Sequence, residues 1–243
     1  MHHFFVAPEA IDQSQVHFSS EISRQIQRVL RLKEGELANV LDNSGMVYEV
    51  ELTLAGTLVL GNIVQQYAGE TESRLRLTLM VALSQREKYE WILQKGTELG
   101  VSAFLPVISE RSLVQKKAAI AGKRERWEAI IREAAEQSHR TRLPDLMEVM
   151  PLAEAVALAF DEFNILKLCA HTTVDATPLR EVLSNNQPEA CRVLIGPEGG
   201  FTAEEVDLAR SHGFIITSLG RRVLRMETAA MAAAAIILNG WGA

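Results

Sequence analysis

Residues 191–205 read Cys191-Arg-Val-Leu-Ile-Gly-Pro-Glu-Gly-Gly-Phe-Thr-Ala-Glu-Glu205, and this run decides the fold class. Cys191 to Ile195 is a short apolar run of the kind that forms a buried strand. Glycines punctuate its end, and Thr202 with Glu205 supplies the T-x-x-E capping box that starts a helix. Strand, glycine loop and helix in succession belong to an α/β domain. Glycines after a strand remove Cβ atoms, allow positive φ and let backbone groups reach a ligand, although a glycine pair also serves simply to make a tight turn. Ligands of open α/β sheets bind at the C-terminal ends of strands, which makes Gly196 to Gly200 the first candidate site.

Working outward, Phe214 to Leu219 reads as a last strand, followed by Gly220-Arg-Arg-Val-Leu-Arg-Met-Glu-Thr228 and an alanine-rich helix to Leu238. The loop from Leu219 to Arg225 is therefore a second candidate at a strand end. Ile165 to Ala170 is a strand ending at His171, which should lie beside the glycine loop as a ligand or as a structural imidazole. Helices at Pro151 to Phe160 and Thr177 to Leu183 flank that strand. Earlier still, Leu75, Leu77, Leu79 and Val81 alternate as a strand, and a helix runs through Trp91, Ile92, Lys95 and Leu99. Val101 to Val107 is the next strand. An amphipathic helix follows, with Trp127, Ile130, Ile131, Ala134, Ala135 and Ser138 on one face.

Before residue 70 the rhythm changes. Leu37 to Leu41, a turn at Asp42-Asn43-Ser44-Gly45, Val47 to Leu54, and Leu58 to Val64 are short strands at regular spacing, which predicts a small β-barrel. A helix with Ile22, Ile26, Val29 and Leu30 on its apolar face precedes them. Tyr67 to Ser73 is polar and aperiodic, so the domain boundary falls there, dividing 1–70 from 74–243.

Composition and charge exclude several classes. With 243 residues, 47% hydrophobic and 23% charged, the chain is neither disordered nor fibrous and can build its core without disulfides. Cys169 and Cys191 lack C-x-x-C spacing and read as buried spectators. The longest apolar run, Ala229 to Leu238, spans ten residues and is too short to cross a bilayer. No export signal is evident, and the expected compartment is the cytoplasm. The net charge is -6, yet its distribution is uneven. Residues 1–70 carry four Lys/Arg against nine Asp/Glu, whereas residues 86–142 carry twelve against eight, so a local basic face is open alongside an ordinary solvated one. There is no G-x-x-x-x-G-K-[ST], no early G-x-G-x-x-G, no G-x-S-x-G and no histidine pair at metal-ligand spacing. A nucleotide triphosphatase, an ordinary dinucleotide-binding enzyme, a serine hydrolase and a metal site are accordingly disfavoured.

Val193-Leu-Ile-Gly-Pro-Glu-Gly-Gly-Phe-Thr202 together with Leu219-Gly-Arg-Arg-Val-Leu-Arg-Met-Glu-Thr-Ala229 closely resembles the C-terminal signature of the RsmE family. These are small-subunit ribosomal RNA uridine-N3 methyltransferases of the SPOUT superfamily. Val29-Leu-Arg-Leu-Lys-Glu-Gly-Glu36, Lys95-Gly-Thr-Glu-Leu-Gly-Val101, Ser109-Glu-Arg-Ser112 and Glu136-Gln-Ser138 resemble the same family in the same order. The resemblance implies an α/β protein with an N-terminal PUA-like, RNA-binding β-barrel and a SPOUT methyltransferase domain that ends in a trefoil knot. It further implies a homodimer, S-adenosylmethionine as methyl donor, and N3 of a uridine near the decoding region of 16S ribosomal RNA as acceptor.

The chemistry then sets demands. N3 must lose its proton while held in line with the donor, and the anion spreading onto O2 and O4 suits guanidinium donors. Arg222 and Arg225 are the candidates by resemblance, with Glu198 as proton acceptor and Glu227 as a second choice. His171, Ile195, Gly196, Pro197, Gly200, Leu219, Gly220, Leu224, Arg225 and Thr228 are the implied cofactor-binding set. By charge and region, Arg86, Arg111, Arg140 and Arg142, with Lys88, Lys116 and Lys117, are candidates for RNA contact, and the resemblance adds Arg222 for the base or its phosphate. The family often carries an arginine near its start, whereas this chain begins Met1-His2-His3-Phe4. An N-terminal RNA contact is then either absent or pH-sensitive through His3. Two other functions compete: a non-catalytic RNA-binding assembly factor, and a sibling methyltransferase acting on another RNA atom.

Overall fold

The structure, a computed structural model, describes residues 1–115, 120, 122–159 and 164–241. Lys116, Lys117 and Phe160 lie outside the described residues. The chain divides into two units, Met1–Glu72 with Arg132–Leu143, and Ser73–Ile131 with Pro144–Ala243.

The first unit contains β1 (His2–Phe5), β2 (Gln15–His17), α1 (Ser20–Arg24), β3 (Leu37–Leu41), β4 (Met46–Ala55) and β5 (Leu58–Ala68). They form a mixed five-stranded sheet in the order β1-β3-β4-β5-β2, in which only β1 and β3 run parallel. Phe4, Val16, Phe18, Ile26, Val40, Val50, Leu52 and Val59 make its core. Ser19 caps α1 by accepting the amide of Ile22 at 3.2 Å. A π-helical turn, Gln25–Leu30, continues α1, and this changes the apolar face. Bonding from i to i+5 displaces later residues from the α-helical stripe. Ile26 is buried, but Val29, expected on that stripe, is 72% exposed.

The second unit comprises β6 (Arg76–Ala82), α2 (Arg86–Leu99), β7 (Ala103–Ile108), α3 (Arg124–Gln137), β8 (Asp145–Leu146), β9 (Met150–Pro151), α4 (Leu152–Ala157), β10 (Ile165–Ala170), β11 (Thr177–Pro178), α5 (Leu179–Ser184), β12 (Ala190–Ile195), α6 (Ala203–Ser211), β13 (Ile215–Ser218) and α7 (Met226–Trp241), with the C-terminal end of α3 passing to the first unit. All strand pairs are parallel, in the order β11-β13-β10-β12-β6-β7-β8, with β9 also on β7. Parallel sheets need both faces covered, and the side-chain period of two sorts the residues. Leu77, Leu79, Val81, Cys191, Val193 and Ile195 join one core with α2, α3, α5 and α7. Met80, Leu105, Cys169, Leu194 and Ile216 join the other with α4 and α6. Every residue of β12 is buried, so each large apolar side chain there contributes roughly 2 kcal/mol of transfer free energy.

This layering also settles the cysteines. Burial pushes the thiols of Cys169 and Cys191 up to about 12, which keeps them protonated and unreactive near neutrality. Among the described residues no helix is long and apolar enough to cross a membrane, and no group of three metal-ligating side chains is assembled.

Candidate functional site

The chain crosses over where β12 inserts between β6 and β10, and a crevice opens beyond the carboxyl ends of these strands. The cavity there measures about 630 Å³, inside the range of small-molecule sites. β10 delivers Ala170, His171 and Thr172 to it, β12 delivers Ile195 to Phe201 apart from Gly199, and the segment after β13 delivers Leu219 to Met226 apart from Arg221. Lys88 comes from the first turn of α2, and Ala229 from the first turn of α7.

Local sequence fixes each loop. A Cβ on Gly196 would lie 3.1 Å from the Phe201 ring, so any side chain there would press on that ring and require it to shift. Pro197 accepts the amide of Gly200 at 2.9 Å, and Gly200 holds φ at +69°, a left-handed turn that ends the loop. The helix that follows starts with the predicted capping box: Thr202 Oγ1 accepts the Glu205 amide at 3.3 Å, and Glu205 Oε2 accepts the Thr202 amide at 3.0 Å. The other oxygen, Glu205 Oε1, accepts the amide of Glu110 at 2.7 Å. Next to it, Arg111 donates to the carbonyl of Gly199 at 2.9 Å. The loop after β7 is thus tied once to the glycine loop, at Gly199, and once to the first turn of α6, at Glu205.

Of the residues implied for a cofactor, His171, Ile195, Gly196, Pro197, Gly200, Leu219, Gly220, Leu224 and Arg225 border the cavity. Thr228 does not; it is exposed on α7. Glu198, Arg222 and Arg225 share the same cavity, and both arginines are exposed. Glu198 Oε1 accepts Lys88 Nζ at 2.8 Å. Glu227 lies outside the lining, with an enclosed Oε2 that has no partner. His171 donates its backbone amide to Thr217 at 3.0 Å, while its side-chain Nδ1 is enclosed without a partner.

The basic side chains proposed for RNA are placed less uniformly. Arg140 is a correction: its side chain is only 6% exposed and donates to Glu72 at 2.7 Å, so it braces the first unit and offers no surface to a phosphate. Arg142 is exposed and donates to the Ser44 carbonyl. Arg86 and Arg126 both pair with Glu90 at 2.7 Å, and these guanidinium bonds, Arg126 first, hold the Glu90 carboxyl down near 2. Arg111 is engaged by the glycine loop. The pH-sensitive contact through His3 is likewise corrected. Burial, then the neighbouring His139, lowers its pKa to about 4, so the ring is neutral at pH 6. It stacks on His139 at 4.1 Å and lies 3.0 Å from Asn39 Nδ2, for which its neutral Nε2 is the acceptor.

Phe201, Met226 and Ala229 also line the cavity, outside the implied cofactor-binding set. The i, i+3 spacing of Met226 and Ala229 at the start of α7 was the available signal. Lys88 carried no signal beyond its charge, because its place depends on β6 lying beside β12.

Residues 71–238 match the family model described as an RNA methyltransferase domain. The chain is 37% identical over 235 residues to ribosomal RNA small subunit methyltransferase E of Synechocystis sp., covering 96% of this chain and 75% of that protein. Identity to the protein of the same name from Bacillus subtilis is 32% over 227 residues, covering 90% and 88%. The crystal structure of a ribosomal RNA small subunit methyltransferase E from Neisseria gonorrhoeae bound to S-adenosylmethionine is similar with a TM-score of 0.90 at 32% identity, over 100% of this chain and 98% of that one. A methyltransferase from Legionella pneumophila, in complex with the same bound cofactor, gives 0.88 at 32% identity over 99% and 98%.

Proposed function

Since this chain belongs to the RsmE family of ribosomal RNA small subunit methyltransferases, we propose that it transfers a methyl group from S-adenosylmethionine to N3 of a uridine in 16S ribosomal RNA. The observation that carries this reading is the cavity at the strand ends. Ile195, Leu219, Leu224, Met226 and Ala229 give it apolar walls for an adenine, the glycine loop offers backbone groups, and the unpartnered Nδ1 of His171 awaits a polar atom. These residues fit the cofactor. When bound, it supplies an electrophilic methyl group on a sulfonium.

Glu198 takes the N3 proton of the uridine, and the pair left on N3 forms the new N–C bond while the methyl–sulfur pair stays with the departing thioether. Arg222 and Arg225, both exposed at the cavity, donate to O2 and O4, where the negative charge collects.

The finer architecture belongs to the same proposal. Residues 1–70 act as a PUA-like barrel that docks RNA, and residues 74–243 as a SPOUT domain with a C-terminal trefoil knot. Supporting the knot, β13 flanks the outer side of β10 while α7 returns to pack on α2, β6 and β12, so residues 219–225 pass over the ends of the strands between. The working form is a cytoplasmic homodimer that uses the outer face of α7, where Ile236 is 42% exposed beside the partly exposed Ala232 and Ala235. Calorimetric titration with S-adenosylmethionine tests the cavity. Wild type binds one equivalent per chain, and Gly196→Leu, which drives a side chain into Phe201, does not. Equal binding by both would remove the cavity from the proposal.

A further inference from the structure

Among the described residues, five around the cavity carry titratable side chains: Lys88, His171, Glu198, Arg222 and Arg225. Glu198 is the sole carboxylate among them, and the bonds that hold its loop, Gly200 to Pro197 and Arg111 to Gly199, engage backbone carbonyls and not its side chain. Pro197 precedes it, Gly199 and Gly200 follow, and among the described residues no loop amide donates to its carboxylate. Among the described residues its one partner is Lys88 Nζ, at 2.8 Å from Oε1. Lys88 stands on firmer ground, in the first turn of the 14-residue α2, whose Tyr89, Ile92 and Leu93 are buried.

The two side chains are 29% and 32% exposed. An ion pair this exposed adds little to stability, so its effect is on placement. The bond occupies Oε1 alone, which leaves Oε2 open as an acceptor.

We infer that Lys88 is a positioning residue, whose ammonium anchors the Glu198 carboxylate to α2 so that Oε2 is held ready for the acceptor's proton. The inference rests on the reading of Glu198 as proton acceptor given above. An ammonium suits the task because it is a compact charge that can follow small movements of the loop, and a guanidinium in its place would still reach the carboxylate. With Lys88 and Glu198 neutralising each other, Arg222 and Arg225 leave the cavity net positive, which favours a uridine that has lost its proton.

The test compares kcat and KM of wild type, Lys88→Ala, Lys88→Arg, Glu198→Gln and the Lys88→Ala/Glu198→Gln double variant on small ribosomal subunits, with thermal melts to confirm folding. Lys88→Ala should lower kcat roughly 10- to 100-fold through misplacement of the carboxylate. Its KM for the cofactor should stay within about 2-fold, since the loss is of turnover and not of ground-state binding. Lys88→Arg should recover most of the rate. The double variant should be no slower than Glu198→Gln alone, because Lys88 acts through that carboxylate. Losses that multiply in the double variant, or full activity of Lys88→Ala beside an impaired Glu198→Gln, would overturn the positioning role and leave the proton acceptor standing. Full activity of Glu198→Gln would instead remove the proton acceptor, and the positioning role with it.

Discussion

Replacing Glu205 with alanine cuts two bonds at the start of α6, the helix that follows the glycine loop. Its Oε2 accepts the Thr202 amide at 3.0 Å and its Oε1 accepts the Glu110 amide at 2.7 Å. Each bond contributes about 1 kcal/mol net, somewhat more for an ionised acceptor, so Glu205→Ala should cost the second unit about 2–3 kcal/mol. Glu205→Gln keeps one acceptor for the helix cap and should cost about 1 kcal/mol. The effect should extend to the cavity. Freeing Glu110 loosens its neighbour Arg111, whose guanidinium supports the Gly199 carbonyl, so the loop must be ordered when cofactor binds. An ordering cost of about 1 kcal/mol corresponds to roughly 5-fold in cofactor Kd. Urea denaturation followed by tryptophan fluorescence reads this unit selectively, because Trp91, Trp127 and Trp241 all lie in it. A Glu205→Ala protein with wild-type midpoint and wild-type cofactor affinity would refute the coupling between cap and loop.

Arg222→Ala should lower kcat about 100- to 1000-fold while cofactor Kd changes little, as expected for a donor that engages only developing charge; a proportionate loss of cofactor binding would reassign it to the cofactor. Arg140→Met should destabilise the first unit by about 3 kcal/mol by leaving Glu72 without its buried partner. The salt dependence of RNA binding, measured by filter retention, should be unaltered in that variant, and a shallower slope would restore Arg140 as a phosphate contact. For His3 the folded-state pKa, about 4, lies below its ordinary 6.5, so folding favours the neutral ring. Its contribution is fully present above pH 6.5 and is lost as pH falls toward 4. Wild type should therefore lose stability across that window relative to His3→Leu, and parallel pH profiles would count against the burial argument.

Much of the second unit is legible because its signals are local. Alternation from Leu75 to Val81, the apolar run into Gly196 and the Thr202–Glu205 box each lie within one short window, and each becomes the expected element. The first unit is less so. β1 and β2 span 4 and 3 residues, too few to show a period, and β1 is fixed by distant partners, Leu37–Leu41 along the strand and Arg132 and Glu136 at Phe5. Side-chain roles that depend on distant partners escaped altogether. Arg140 reads as a surface cation until Glu72, 68 residues away in sequence, buries it. Lys88 reads as one more charge on a solvated helix until Glu198, 110 residues on, is brought to it by the pairing of β6 with β12. The order of strands in the sheet decides such contacts, and no window of sequence contains it.

Nucleoside mass spectrometry of small ribosomal subunits lacking the modification, after incubation with the protein and S-adenosylmethionine, tests the proposed reaction most directly. The proposed function predicts 3-methyluridine in the digested 16S RNA, and its loss with Arg222→Ala. A methyl group on another nucleoside atom would make the protein a sibling methyltransferase. Absence of transfer, with no cofactor bound, would leave an RNA-binding assembly factor.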